Sequence, residues 1–346
     1  MTIRRFMILA LVLALVPATL MAQTYTLKLG HLNAQQPFEV ASGAMAEVFK
    51  SEVEANSNGR IKVELFPNGV LGAEANVMQQ VRAGIVQSYI ISSGGIAQFY
   101  PLIDVTNMPF AFSSYNVGYK VYDGEFGQAL AKDIEAKAGF KVLGFGESGG
   151  FFAITNNRRP LKSPADMRGI KLRVMALPLH QAIVSALGAS PTTVAWAEVY
   201  TSLQTGVVDG QMNPLSIIAM AKFQEVQKYM TLTNHLYAPY VWVINPRFYN
   251  SLPADLQRVV DDASRTAILA GRGLSRIIDA SDKGLPTLAA RMEIYVPNTS
   301  EMRQFRDVTM PAAKAFMTDK YKAEGTQWVD RFYAAIEAAE KELGLR

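Results

Sequence analysis

Arg173 is the residue whose surroundings most demand a chemical explanation. It stands in Lys171-Leu172-Arg173-Val174, a strand-like stretch with no acid beside it. Burying a guanidinium is costly unless it is paired. Two readings follow. Backbone carbonyls or a distant carboxylate saturate it, or it points into a cleft and grips a carboxylate through its planar fork. Asn213 ends another strand just before Pro214. Its amide either caps the following segment or donates to a ligand oxygen. Trp196 precedes a helix, and Tyr240 and Trp242 project from one face of their strand because side chains alternate. Each aromatic is either core or the wall of a ligand cavity.

Two glycine motifs point to other chemistry and fail on context. Gly144-Phe145-Gly146-Glu147-Ser148-Gly149 matches G-x-G-x-x-G. A dinucleotide site needs a helix opening at the last glycine, and the strand-like Phe151-Phe152-Ala153-Ile154-Thr155 follows instead. Gly146-Glu147-Ser148-Gly149-Gly150 matches G-x-S-x-G, and a hydrolase elbow needs the same missing helix. A secreted serine hydrolase using Ser148 is the alternative of another class. The glycines read better as a flexible crossing between two units, a hinge. His31, His180 and His235 show no metal-ligand spacing, and the chain has no Cys. Neither a metal nor a cofactor is expected.

The elements that position these residues alternate between strand and helix. Strands are expected at 26–30, 61–66 and 87–91, with helices at 38–55 and 73–83 between them. This order implies a mostly parallel sheet flanked by helices. A second α/β unit starts near residue 150, with strands through 166–174, 192–194 and 209–213 and helices at 178–187 and 198–204. Tyr240-Val241-Trp242-Val243-Ile244 is a strong strand. From Pro253 a long helix is expected to run toward residue 293, kinked at Gly284 and Pro286 and crossing both units.

At 346 residues with 49% apolar content, the chain suits about two domains and excludes disorder. Arg4 and Arg5, the apolar run Phe6 to Val16, and Leu20-Met21-Ala22 read as an export signal over residues 1–22, cut near Ala22. Eleven apolar residues are too few to span a bilayer. Without this segment the formal charge of +4 falls to +2, which leaves no electrostatic footprint for nucleic acid.

Several segments together resemble one family, the substrate-binding subunits of tripartite ATP-independent periplasmic (TRAP) transporters, the family named after the dicarboxylate-binding protein. They are LKLGH at 27–31, GRIKVELFPNGVLG at 59–72, FYP at 99–101, MPFAF at 108–112, DMRGIKLRV at 166–174, GASPTTVAWAEVYTSLQTGVVDGQMNP at 188–214 and KFQEVQKYMTLTNH at 222–235. The resemblance covers the whole chain beyond residue 22. It implies an α/β, two-lobed periplasmic binding fold, each lobe a mixed, mostly parallel sheet flanked by helices. Residues 23–149 and 239–278 would form one lobe, and 150–238 and 279–346 the other. It implies a non-enzymatic, monomeric periplasmic protein that passes an organic acid to a membrane permease driven by an ion gradient.

Carried over residue by residue, Arg173 matches the family's carboxylate-gripping arginine and Asn213 its ligand-binding asparagine. Trp196 falls where an aromatic often flanks the ligand, and Glu74 and Ser92 fall at cleft-lining positions. Two departures matter. Phe152, beside Phe151, stands where many members carry a second arginine, and Met175 replaces a proline. Two carboxylates need two charge partners. The expected ligand is therefore a monocarboxylate with a hydrophobic or aromatic remainder, such as a 2-oxo or 2-hydroxy acid. Phe151, Phe152, Met175, Trp196 and Trp242 would line its site. A C4-type dicarboxylate is the alternative within the family, and a carbohydrate or amino acid carried to an ATP-driven importer is the alternative within the fold.

Overall fold

The computed structural model describes residues 24–346, so the export-signal reading of 1–22 lies outside the described residues. Ten strands are present among them: β1 (Tyr25–His31), β2 (Ile61–Phe66), β3 (Ser88–Ile91), β4 (Lys141–Asn156), β5 (Lys171–Val174), β6 (Ser190–Thr193), β7 (Gly210–Pro214), β8 (Tyr229–Thr231), β9 (Tyr237–Ile244) and β10 (Glu293–Tyr295). They run in the order β2-β1-β3-β9-β4-β7-β5-β6, with β8 also pairing β4 and β10 pairing β8. β1, β2 and β3 are parallel, as are β5, β6 and β7, while β4 and β9 run antiparallel to their neighbours. The first half of β4 belongs to one twisted sheet and its second half to the other, so one strand joins two units.

The apolar alternation of β1 and β2 buries Leu27, Leu29, Ile61 and Val63 against the helix Ala41–Asn56, whose Met45, Phe49 and Val53 are buried. The helix Ala254–Ala280 lies across that helix and β4, and its far end reaches the helix Leu215–Met220 of the second unit. It ends at Ala280, short of the single helix expected to residue 293. A turn at 281–284 intervenes, and Pro286 opens a separate helix, Leu285–Ala289. Proline suits a first helical turn better than an interior.

Two further differences from the sequence reading concern glycine and length. The glycine-rich stretch is a strand rather than a loop: β4 is continuous through it, and the pairing with β9 slips between Glu147 and Phe151. Gly149 and Gly150 sit at this slip with φ of +116° and +104°. A side chain on Gly150 would run into Arg276 and Tyr115, so only glycine fits. The helix Thr299–Glu342 went unread; it is kinked at Lys322. It packs on the helix Pro178–Ala186 of the second unit. Beyond the kink, Trp328 and Phe332 meet Phe126, and Glu340 meets Ser113, beside the first unit.

Ion pairs brace the crossing. Glu147 of β4 accepts from Arg276 at 2.7 Å and from Tyr119 at 2.5 Å. Arg276 also meets Asp279 at 3.0 Å and stacks over Tyr115. One turn earlier, Arg272 grips Asp123 with both Nη atoms, at 2.6 and 2.8 Å.

Candidate functional site

A cavity of about 640 Å³ lies between the two sheets, within the range of small-molecule sites. The carboxyl ends of parallel strands from both sheets open onto it: Leu32 and Asn33 after β1, Asn68 after β2, Ser92 after β3, Met175 after β5, and Asn213 near the end of β7. This is the edge at which α/β sheets bind ligands.

Arg173 lies in β5, between β7 and β6, with Leu172 and Val174 buried on the other face. Only 4% of it is exposed. Its Nε donates to the Val194 carbonyl at 3.0 Å, and among the described residues no carboxylate lies within 4.0 Å of it. Burial pulls its pKa down to about 10, and the charge of Glu74 works against that. The guanidinium carbon is 6.0 Å from the centre of the Trp196 ring, which packs edge-on against Phe223.

Asn213 is held from behind. Its Nδ2 donates to Gln211 Oε1, Gln211 Nε2 donates to Thr155 Oγ1 at 3.0 Å, and Thr155 Oγ1 donates to Gln227 Oε1 at 2.9 Å. These buried amides fix the plane of the Asn213 side chain while it lines the cavity. Phe152 and Met175 supply apolar wall beside it.

The opposite wall is polar. Glu74 opens the helix Glu74–Ala83, where the helix dipole favours an anion. Its Oε1 accepts from the Ser92 amide at 2.9 Å and its Oε2 from the Ser92 hydroxyl at 2.8 Å. Burial nevertheless pushes its pKa up to about 6, with the Ser92 bonds and Arg173 pulling the other way. Tyr240 accepts from Asn33 Nδ2 at 2.8 Å, and its own hydroxyl is pushed up to about 12 by burial.

Arg173, Asn213, Trp196, Phe152, Met175, Glu74, Ser92 and Tyr240 thus share one cavity. Trp242 does not line it. It is fully buried in the first unit's core, 4.9 Å from the Phe49 ring, with Nε1 donating to Ser88 Oγ. Strand alternation puts Tyr240 and Trp242 on one face, but Trp242 lies ~7 Å further from the cleft end of β9. Phe151 also turns away and packs on Tyr115 and Tyr237. Sequence reasoning missed Asn33, Gln98 and the backbone around Pro239, which reach the cavity only through tertiary folding.

Ser148 lines the cavity too, with its hydroxyl donating to the Ala238 carbonyl at 2.7 Å. The two candidate bases are engaged elsewhere, His180 with Asn107 and His235 with Thr233. Burial pulls their pKa values down to about 3 and about 4, so both are neutral at pH 7. They pack behind Phe152, with ring centres 6.5 Å from it. Arg173 is therefore the single cationic side chain lining the cavity among the described residues.

Residues 34–320 match the family of bacterial extracellular solute-binding proteins, family 7. The chain belongs to this family. Its members are the solute-binding subunits of TRAP transporters, substrate-binding transport proteins rather than enzymes, with a two-lobed fold. A solute-binding protein of Roseobacter denitrificans is 38% identical over 274 residues, covering 79% of this chain and 82% of its own. The solved structure of a Roseobacter denitrificans TRAP periplasmic solute-binding protein with bound L-galactonate has a TM-score of 0.79 at 34% identity, covering 90% of this chain and 99% of that one. The C4-dicarboxylate-binding periplasmic protein of Rhodobacter capsulatus is 33% identical over 309 residues, covering 87% and 89%. A Sulfurospirillum deleyianum member with bound succinate has a TM-score of 0.81 at 29% identity, covering 90% and 99%.

Proposed function

We propose that this protein is exported, with cleavage near Ala22, and captures a hydroxylated organic monocarboxylate in the periplasm. It then delivers the ligand, without chemical change, to an ion-gradient-driven TRAP permease. The observation that carries this reading is the buried Arg173: charged and, among the described residues, free of any acid within ion-pair distance and the one cation lining the cavity. A ligand carboxylate completes what folding leaves incomplete, through two parallel N–H···O bonds. Asn213 donates a further hydrogen bond from its fixed amide. Phe152, Met175 and Trp196 cover the apolar face of the guest, and closure of the lobes excludes water. The sequence pointed to a mostly apolar guest. The opposite wall of Asn33, Glu74, Ser92 and Tyr240 favours hydroxyl groups on its other face.

Thermal shift over a panel of mono- and dicarboxylic acids tests the proposal. A hydroxy monocarboxylate at 100 times its Kd adds about 2.7 kcal/mol of stability. No ligand on the panel is turned over. A dicarboxylate as the best responder, or ester hydrolysis lost in Ser148→Ala, contradicts the reading.

A further inference from the structure

The cavity holds two opposite charges that face each other without touching. Arg173 comes from β5 and Glu74 from the first residue of a helix in the other unit. Each perturbs the other's titration, yet no contact within 4.0 Å joins them. Both line the cavity.

The Glu74 carboxyl is held in a built cradle. Both oxygens are taken by Ser92, through its amide and its hydroxyl, and the same hydroxyl accepts from the Gly95 amide at 3.1 Å. A Cβ on Gly95 would lie 2.6 Å from the Glu74 carboxyl carbon, so the backbone closes around the acid and only glycine allows it. Tyr89 of β3 and Tyr240 of β9 are the other titratable groups that feel this charge. Neither is a cation, and neither neutralises it.

We propose that Glu74 is the residue that sets the charge class of the ligand, admitting monocarboxylates and repelling a second carboxylate. The inference rests on Arg173 binding the first carboxylate. A hydroxyl beside that carboxylate donates to a Glu74 oxygen. A second carboxylate there meets a fixed anion and finds no second cation among the described residues, because Phe152 lines the cavity with Arg173 and the histidines behind it are neutral. A dianion enters only with a proton shared between it and Glu74. Burial raises the Glu74 carboxyl to about 6, which brings that proton within reach just below neutral pH.

Calorimetric titration with two matched pairs tests this: 2-hydroxybutanoate against malate, and galactonate against galactarate. Each pair differs only in a terminal carboxylate. In Glu74→Gln at pH 8, the dicarboxylate-to-monocarboxylate affinity ratio should rise at least about tenfold over wild type. A ratio within twofold of wild type overturns the proposal. Wild type supplies a check that needs no variant. Its own ratio should rise as pH falls from 8 to 5.5, with about one proton taken up per bound dicarboxylate, read from buffers of different ionisation enthalpy. A ratio flat with pH, and no proton uptake, overturns it equally. Failure of the underlying reading looks different: wild type then binds neither monocarboxylate, or Arg173→Ala binds them as tightly as wild type.

Discussion

Arg173 and Arg276 are both arginines drawn out of water, and the fold treats them oppositely. At the crossing between the units, Arg276 is met by Glu147 and Asp279 and covered by Tyr115, while Arg272 one turn away holds Asp123. In the cleft, Arg173 receives one backbone carbonyl and faces a cavity. A structural guanidinium has its partners built in. A guanidinium that binds a ligand, the role proposed for Arg173, is left short of them, and the missing partner would then describe the ligand. The pKa directions agree, since its acids hold Arg276 above the usual value whereas burial wins at Arg173.

Substitutions can break this contrast. Arg276→Ala strands the fully buried Glu147 carboxylate and should cost about 3–5 kcal/mol in denaturant unfolding. A loss under ~1 kcal/mol would mean that the crossing cluster is not structural. Arg173→Ala should do the reverse. Ligand affinity measured by calorimetry should fall by about 2–5 kcal/mol, while the unliganded protein unfolds within ~1 kcal/mol of wild type. If stability falls and affinity holds, the two arginines have exchanged roles.

The contrast also requires that no second cation reaches the cleft, which pH can probe. His235 is buried with its pKa pulled down to about 4, against 6.5 for an ordinary histidine. Between those values the unfolded chain takes up a proton that the folded protein refuses, so this group removes stability as pH falls from 6.5 toward 4. At pH 5 the loss is about 2 kcal/mol. Glu74 and Asp104, both raised to about 6, act with opposite sign as pH falls through 6. The check is therefore the difference between wild type and His235→Gln, measured from pH 7 to pH 4.5. The variant should lose less stability on acidification, and parallel profiles would mean that His235 is charged when folded. The smallest expected effect is at Trp196, which is partly exposed and flanks Arg173. Trp196→Ala should weaken ligand binding by about 1 kcal/mol with little change in unfolding.

Much of the framework was legible in the chain. β2 alternates apolar and polar residues from Ile61 to Leu65, and the helix Glu74–Ala83 is stopped by Gly84 in the left-handed conformation. Arg173 announced itself as a charge in an apolar strand. β4 did not, because four glycines within its sixteen residues read as a loop until β9 and β7 are seen to pair with it. The helix Thr299–Glu342 escaped because Pro311 and the kink at Lys322 interrupt its pattern. Trp242 was misplaced because alternation gives a face and not a depth. The polar wall was only half legible, since the loop residue Asn33 and the exposed Gln98 carry no periodic signal.

The most direct test is a crystal structure of the protein with the carboxylic acid that stabilises it best. The ligand carboxylate should lie flat against the Arg173 fork, with both Nη atoms within 3 Å of its oxygens and Asn213 donating alongside. A ligand seated elsewhere, with the Arg173 Nη atoms satisfied by protein groups alone, would contradict the account.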